Sequence, residues 1–99
     1  MNPSILILGR HAGMMQNVLS FLQTHGFTDL KGVLTNDEVR TELFSNNYNL
    51  LIIGGGVDTE TRKMISAFIN QHTLAVKTIE HFGNPATLID EINKAMFEL

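Results

Sequence analysis

The chain has 99 residues, 43% of them hydrophobic, no cysteine and a formal net charge of −3. That length suits one compact domain over 1–99 with a single core and no separate substrate domain. The acidic balance sets nucleic acid aside as a partner, and without cysteine there is no disulfide framework, thiol nucleophile or thiolate metal site. No apolar run reaches the ~20 residues of a membrane span, and Met1-Asn2-Pro3-Ser4 carries no basic leader, so no membrane partner and a cytoplasmic location are expected.

The first apolar run, Ile5-Leu6-Ile7-Leu8, is continuous and not alternating, which predicts a strand buried on both faces. A helix follows from Ala12 to His25, with Met14, Met15, Val18, Leu19 and Leu22 as its apolar stripe and Gly26 at the C-cap. The second strand, Asp29 to Leu34, is diluted by Lys31 and Gly32 and reads as an edge. Thr35 and Glu38 have the spacing of a capping box; their helix turns Val39, Leu43 and Phe44 inward and ends at Asn46-Asn47. Leu50-Leu51-Ile52-Ile53 is the most apolar run and closes in Gly54-Gly55-Gly56. Asp58 is a suitable N-cap for a helix that buries Met64, Ile65, Phe68 and Ile69. Ala75 to Ile79 alternates, as an exposed edge strand does. Asn84-Pro85 opens the last helix, which buries Leu88, Ile89, Ile92 and Met96 and leaves Phe97 off its stripe.

Strand–helix alternation predicts right-handed crossovers and a parallel sheet, an α/β three-layer sandwich. The two fully apolar strands belong in the centre and the two diluted ones at the edges. That gives the order 2-1-3-4, a flavodoxin-like arrangement within the Rossmann-like class. The dinucleotide-type order 3-2-1-4 would leave Leu50–Ile53 at an edge.

The stretch Phe44-Ser45-Asn46-Asn47-Tyr48-Asn49-Leu50-Leu51-Ile52-Ile53-Gly54 is similar to the helix, turn and third strand of the receiver domains of two-component signalling. Glu80 through Leu88 resembles their late Lys-Pro-Phe motif. The resemblance implies a flavodoxin-like fold and a regulatory role, although receivers have about one more strand–helix unit. It also places the phosphotransfer chemistry, and there the chain departs. Gly54 stands at the phosphoacceptor position, Gly9 and Arg10 replace the acidic pair, and Glu80 stands at the position of the lysine. Nucleophile, Mg²⁺ carboxylates and charge-neutralising cation are thus all absent. A second stretch, Gly9-Arg10-His11-Ala12-Gly13-Met14-Met15, resembles the glycine turn of short-chain dehydrogenases, but that family's Tyr-x-x-x-Lys pair has no counterpart and Thr35-Asn36 replaces the acidic residue closing the second strand.

In an open parallel sheet, ligands bind beyond the carboxyl ends of the strands at the switch point, here between strands one and three. The candidate site is therefore Gly9, Arg10, His11 and Gly13 from the first loop, with Gly54, Gly55, Gly56 and Asp58 from the second. Helix N-termini and bare glycine backbone suit an anion, and Arg10, the only Arg or Lys in either loop, adds a forked contact. Glycines also make ordinary tight turns. His11 and His81 belong on this same edge near Glu80 and Asp58, but their spacing matches no metal motif, so both are expected as solvated loop residues. His25 and His72 close helices, where a cation suits the dipole. No nucleophile–base pair can be assembled from the motifs. No catalytic residue, metal or cofactor is expected, and an enzyme acting alone is disfavoured. Two functions stay open: a non-catalytic regulatory or interaction module with a receiver-like fold, its partner another protein or a second copy, or a small binding domain for a phosphorylated or nucleotide-like ligand.

Overall fold

A computed structural model describes residues 2–82 and 84–97. The chain runs β1 (Ile5–Leu8), α1 (Ala12–Thr24), β2 (Leu30–Val33), α2 (Asn36–Ser45), β3 (Leu50–Ile53), α3 (Thr59–Gln71), β4 (Lys77–Glu80), a short 3₁₀ turn (Pro85–Thr87) and α4 (Leu88–Phe97). The four strands form one parallel sheet in the order β2-β1-β3-β4. This is a flavodoxin- or Rossmann-like three-layer sandwich, with the two continuous apolar runs in the centre.

Every residue of β1 and β3 is buried, because helices cover both faces and successive side chains alternate between them. Ile5, Ile7, Leu50 and Ile52 pack with Met15, Leu22, Leu88 and Ile92 under α1 and α4. Leu6, Leu8, Leu51 and Ile53 pack with Val39, Leu43 and Ile65 under α2 and α3. Truncating any one of the fully buried residues to alanine costs about 2–5 kcal/mol.

The edges behave as their dilution requires. In β2, Gly32 lies directly under Met15: a Cβ there would sit 2.6 Å from its Sδ. The missing side chain is what lets α1 approach the sheet edge. β4 begins two residues later than its alternating pattern suggests, at Lys77, whose N–H donates to Asn49 O at 3.0 Å. Gly26 takes φ = +93° beyond the C-cap His25, the left-handed conformation that ends α1. At α3 the same positive φ (51°) falls on Thr73.

Two apolar residues expected to face inward do not. Met14 is 65% exposed, because Met15 and Leu22 are the α1 residues that bury against the sheet, and Met14 is one position, or 100°, round from Met15. Phe44 is 68% exposed for the same reason: Val39 and Leu43, four apart, fill the inward stripe of α2. Its ring meets His72 edge-on instead, with centroids 5.4 Å apart. Phe97 is exposed, as its position off the α4 stripe predicts. No helix among the described residues is long and apolar enough to cross a membrane.

Candidate functional site

The two glycine-bearing turns lie side by side at the carboxyl edge of β1 and β3. Gly9 N–H continues the ladder to Val33 O (3.1 Å), and Gly54 N–H donates to Leu8 O (2.9 Å). After Gly9 the chain enters α1 through His11, an extended N-cap whose side chain makes no capping bond. By contrast Thr35 caps α2 by accepting from Glu38 N–H, and Asp58 caps α3 by accepting from Thr61 N–H. The first amides of α1 have no side-chain acceptor.

The triple glycine is not needed for backbone conformation, since none of Gly54, Gly55 and Gly56 has a positive φ. A Cβ at Gly54 would press on Leu8 O at 3.3 Å, and one at Gly55 on the Phe82 ring at 3.3 Å; at Gly56 it would meet nothing within 4 Å. Gly54 is thus explained by close packing against β1, whereas nothing in the fold requires Gly56.

Arg62 of α3 braces this turn. Its Nε donates to Val57 O (3.1 Å), one terminal nitrogen to Gly54 O (2.8 Å) and the other to Glu80 Oε1 (2.5 Å). Its guanidinium also lies 5.0 Å from the centre of the Phe82 ring. Glu80, at the position that the receiver resemblance assigns to a lysine, is therefore taken up by an ion pair.

Beneath the turns, between the sheet and α1 and α4, is a cavity of about 370 Å³, within the range of small-molecule sites. Ile7, Met15, Val18, Ile52 and Leu88 give it apolar walls, and Gly9 and Gly54–Gly56 form its glycine side. No Ser, Thr, Lys or carboxylate is among its lining residues; its titratable side chains are Arg10, His11 and His81.

Its one buried titratable side chain is His81, only 8% exposed. The ring follows Ile79 by two residues and so shares the face of β4 that looks toward α4. Nδ1 lies 2.8 Å from Glu91 Oε1, and the Thr87 hydroxyl is 2.9 Å from that same oxygen. Nε2 is the single buried side-chain nitrogen or oxygen among the described residues that has no partner in the protein. Its burial corrects the expectation of a solvated loop histidine. The alternation Ile79–His81 and the four-residue spacing Thr87–Glu91 were the available signals, but neither says that the two meet. His11, expected to be solvated as well, is exposed.

Of the eight residues singled out from sequence, Gly9, Arg10, His11, Gly54, Gly55 and Gly56 line this one cavity. Gly13 lies within α1 and does not. Asp58 caps α3, and its hydrogen bonds from Thr61 hold its carboxyl below the usual carboxylate range. Arg10 is not a free arm. Its guanidinium donates to Leu34 O (2.8 Å), Asn36 Oδ1 (2.6 Å) and Thr61 Oγ1 (3.2 Å), tying the β1 turn to α2 and α3. All three partners are neutral, and the nearby Asp58 carboxylate feels the guanidinium charge. The sequence reading missed Arg62 and Glu91.

A smaller cavity of about 200 Å³ opens at the other edge, by Leu43, Tyr48 and Val76. The Tyr48 hydroxyl there donates to Glu42 Oε1 at 2.6 Å; burial, then that bond, push its phenol up. Among the described residues, no buried side-chain nitrogen or oxygen there lacks a partner. Among the described residues no three His, Asp or Glu side chains converge as a metal site requires. Comparison of the chain with protein-family models, with curated proteins and with solved structures returns no significant match.

Proposed function

We propose that this domain binds a small organic molecule in the cavity at the β1–β3 switch point, with the ligand's negative group, such as a phosphate, toward the glycine turns and its apolar body against the sheet. One observation carries the reading: a ligand-sized apolar cavity is bordered by both glycine turns and by His81, whose buried Nε2 has no protein partner. A buried polar atom left unpaired costs about 1–3 kcal/mol, and a bound group would relieve it. The sign of the charge follows from the uncapped N-terminus of α1 and from Arg10, whose hydrogen-bond partners are all neutral. A nucleotide-like ligand combines such a body with such a group.

The test is a two-dimensional NMR titration of the ¹⁵N-labelled chain with inorganic phosphate, mononucleotides and small aromatic acids. The expected result is saturable shifts at Gly9, Gly54–Gly56 and His81. No saturable shift with any of them at millimolar concentration removes the reading.

A second reading has one observation in its favour. Met14 and Phe82, each 65% exposed, stand at the same edge, Met14 on the cavity wall and Phe82 against Gly55. A regulatory or interaction module with a receiver-like fold, in which Gly54, Gly9-Arg10 and Glu80 have displaced phosphotransfer, would use such a surface for a protein partner. It predicts concentration-dependent line broadening confined to that edge in the absence of any small molecule.

A further inference from the structure

Three features lie outside the proposed anion contacts: the amino-edge cavity, the exposed Phe44–His72 pair and the His81–Glu91–Thr87 group. The first has no buried side-chain polar atom without a partner among the described residues, and nothing in the structure shows what covers the second. The third has a definite chemical direction. A carboxylate oxygen only accepts hydrogen bonds. Glu91 Oε1, 2.8 Å from Nδ1, therefore requires the proton of the neutral ring to be on Nδ1. That leaves Nε2 as a bare lone pair, an acceptor. The Thr87 hydroxyl, 2.9 Å from the same oxygen, helps to hold Glu91 in place. The α1 amides and the Arg10 guanidinium are donors. Nε2 of His81 is the buried side-chain acceptor that the protein leaves without a partner.

Resting on the binding reading above, we infer that the ligand carries a protic group, a hydroxyl or a ring N–H, which donates to His81 Nε2 across the apolar body from its negative group. The ligand class is then an acid with two unlike ends. A simple anion such as phosphate satisfies only one end, and an uncharged hydrocarbon neither. The carboxylate–imidazole pair acts as a positioning device: Glu91 never touches the ligand but decides which nitrogen can meet it.

The experiment uses the full chain at pH 8. Long-range ¹H–¹⁵N correlation spectra first establish the protonation of His81. The expected result is a proton on Nδ1 alone; a proton on Nε2, or on both, overturns the inference. The probes are aromatic and heteroaromatic carboxylates and phosphates, each in a protic form and in a form with that hydroxyl or ring N–H methylated. The expected preference for the protic form is about three- to tenfold in Kd, the worth of one hydrogen bond. It should vanish in His81→Phe. Glu91→Gln frees the ring to place its proton on either nitrogen, and there the preference should shrink with the fold retained. Equal binding of protic and methylated probes overturns this inference and leaves the cavity reading standing. Failure of every probe to bind removes both.

Discussion

Glu91 Oε1 accepts from His81 Nδ1 at 2.8 Å and joins the end of β4 to the first turn of α4. Removing the carboxylate leaves the imidazole buried with neither nitrogen partnered. Glu91→Leu should therefore lower stability by about 1–3 kcal/mol, and Glu91→Gln, which can still bond Nδ1, by less. Urea denaturation of the three proteins checks the order, with a change in midpoint and not in slope.

Arg10 is a strut between three segments. Arg10→Ala strips partners from Leu34 O, Asn36 and the buried Thr61 together. A loss of about 1.5–3 kcal/mol is expected, which thermal unfolding would register as a drop of roughly 6–24 °C at 4–8 °C per kcal/mol. An unchanged midpoint would show that the guanidinium contributes nothing to the fold.

Gly32 and Met15 interlock. Gly32→Ala puts a methyl group into the Met15 side chain and should destabilise by about 1–3 kcal/mol through overpacking. Combining it with Met15→Leu, which shortens the opposing side chain, should cost less than the sum of the single changes, because the two sites are in contact. Strict additivity in a double-mutant cycle contradicts the packing described.

Gly56 lies in open space with no positive φ, and alanine there should be tolerated or should stabilise by about 0.4–1 kcal/mol by restricting the unfolded chain. If the glycine side of the cavity meets a ligand, the same substitution weakens binding. Melting temperature and probe affinity moving in opposite directions is the expected signature.

Two capping carboxylates set the acid side of stability. The Thr35 hydroxyl, then Leu34 N–H, hold Glu38 below its usual range, and the Thr61 side chain and then its amide do so for Asp58. Each titrates lower in the folded chain than in the unfolded one. The stability they contribute is complete above the unfolded value and is lost as pH falls through the folded value, progressively below about pH 5. Asp58→Asn keeps an acceptor for the cap but removes the titration. Its stability should fall less steeply between pH 6 and pH 3 than that of the unsubstituted chain, as followed by urea midpoints.

The sheet order was legible because burial on both faces leaves a strand no polar position: Ile5–Leu8 and Leu50–Ile53 read as central, while Lys31, Gly32 and Lys77 mark edges. The glycine turns were legible from their place after those strands. The targets of Arg10 and Arg62 were not. Both donate to backbone carbonyls, Leu34 O in one case and Gly54 O and Val57 O in the other, and a carbonyl looks the same under every residue name. Met14 and Met15 are chemically identical neighbours, and only the rotation of α1 on the sheet separates them. His81 and Glu91 lie ten residues apart on different elements, and their meeting depends on how α4 docks.

The hold of Arg62 on Gly54 O and Val57 O bears on how the edge would respond to a guest. A run of three glycines is ordinarily a floppy segment whose freedom must be surrendered at the moment of contact. Here a guanidinium clamp and the Val57 N–H to Gly54 O bond have already removed much of that freedom when the chain folds. Recognition at this edge should therefore be of the lock-and-key kind, with a small entropic penalty and little movement of the main chain between the free and occupied states. Arg62→Ala would turn the same residues into an induced-fit surface, slower to engage and quicker to let go.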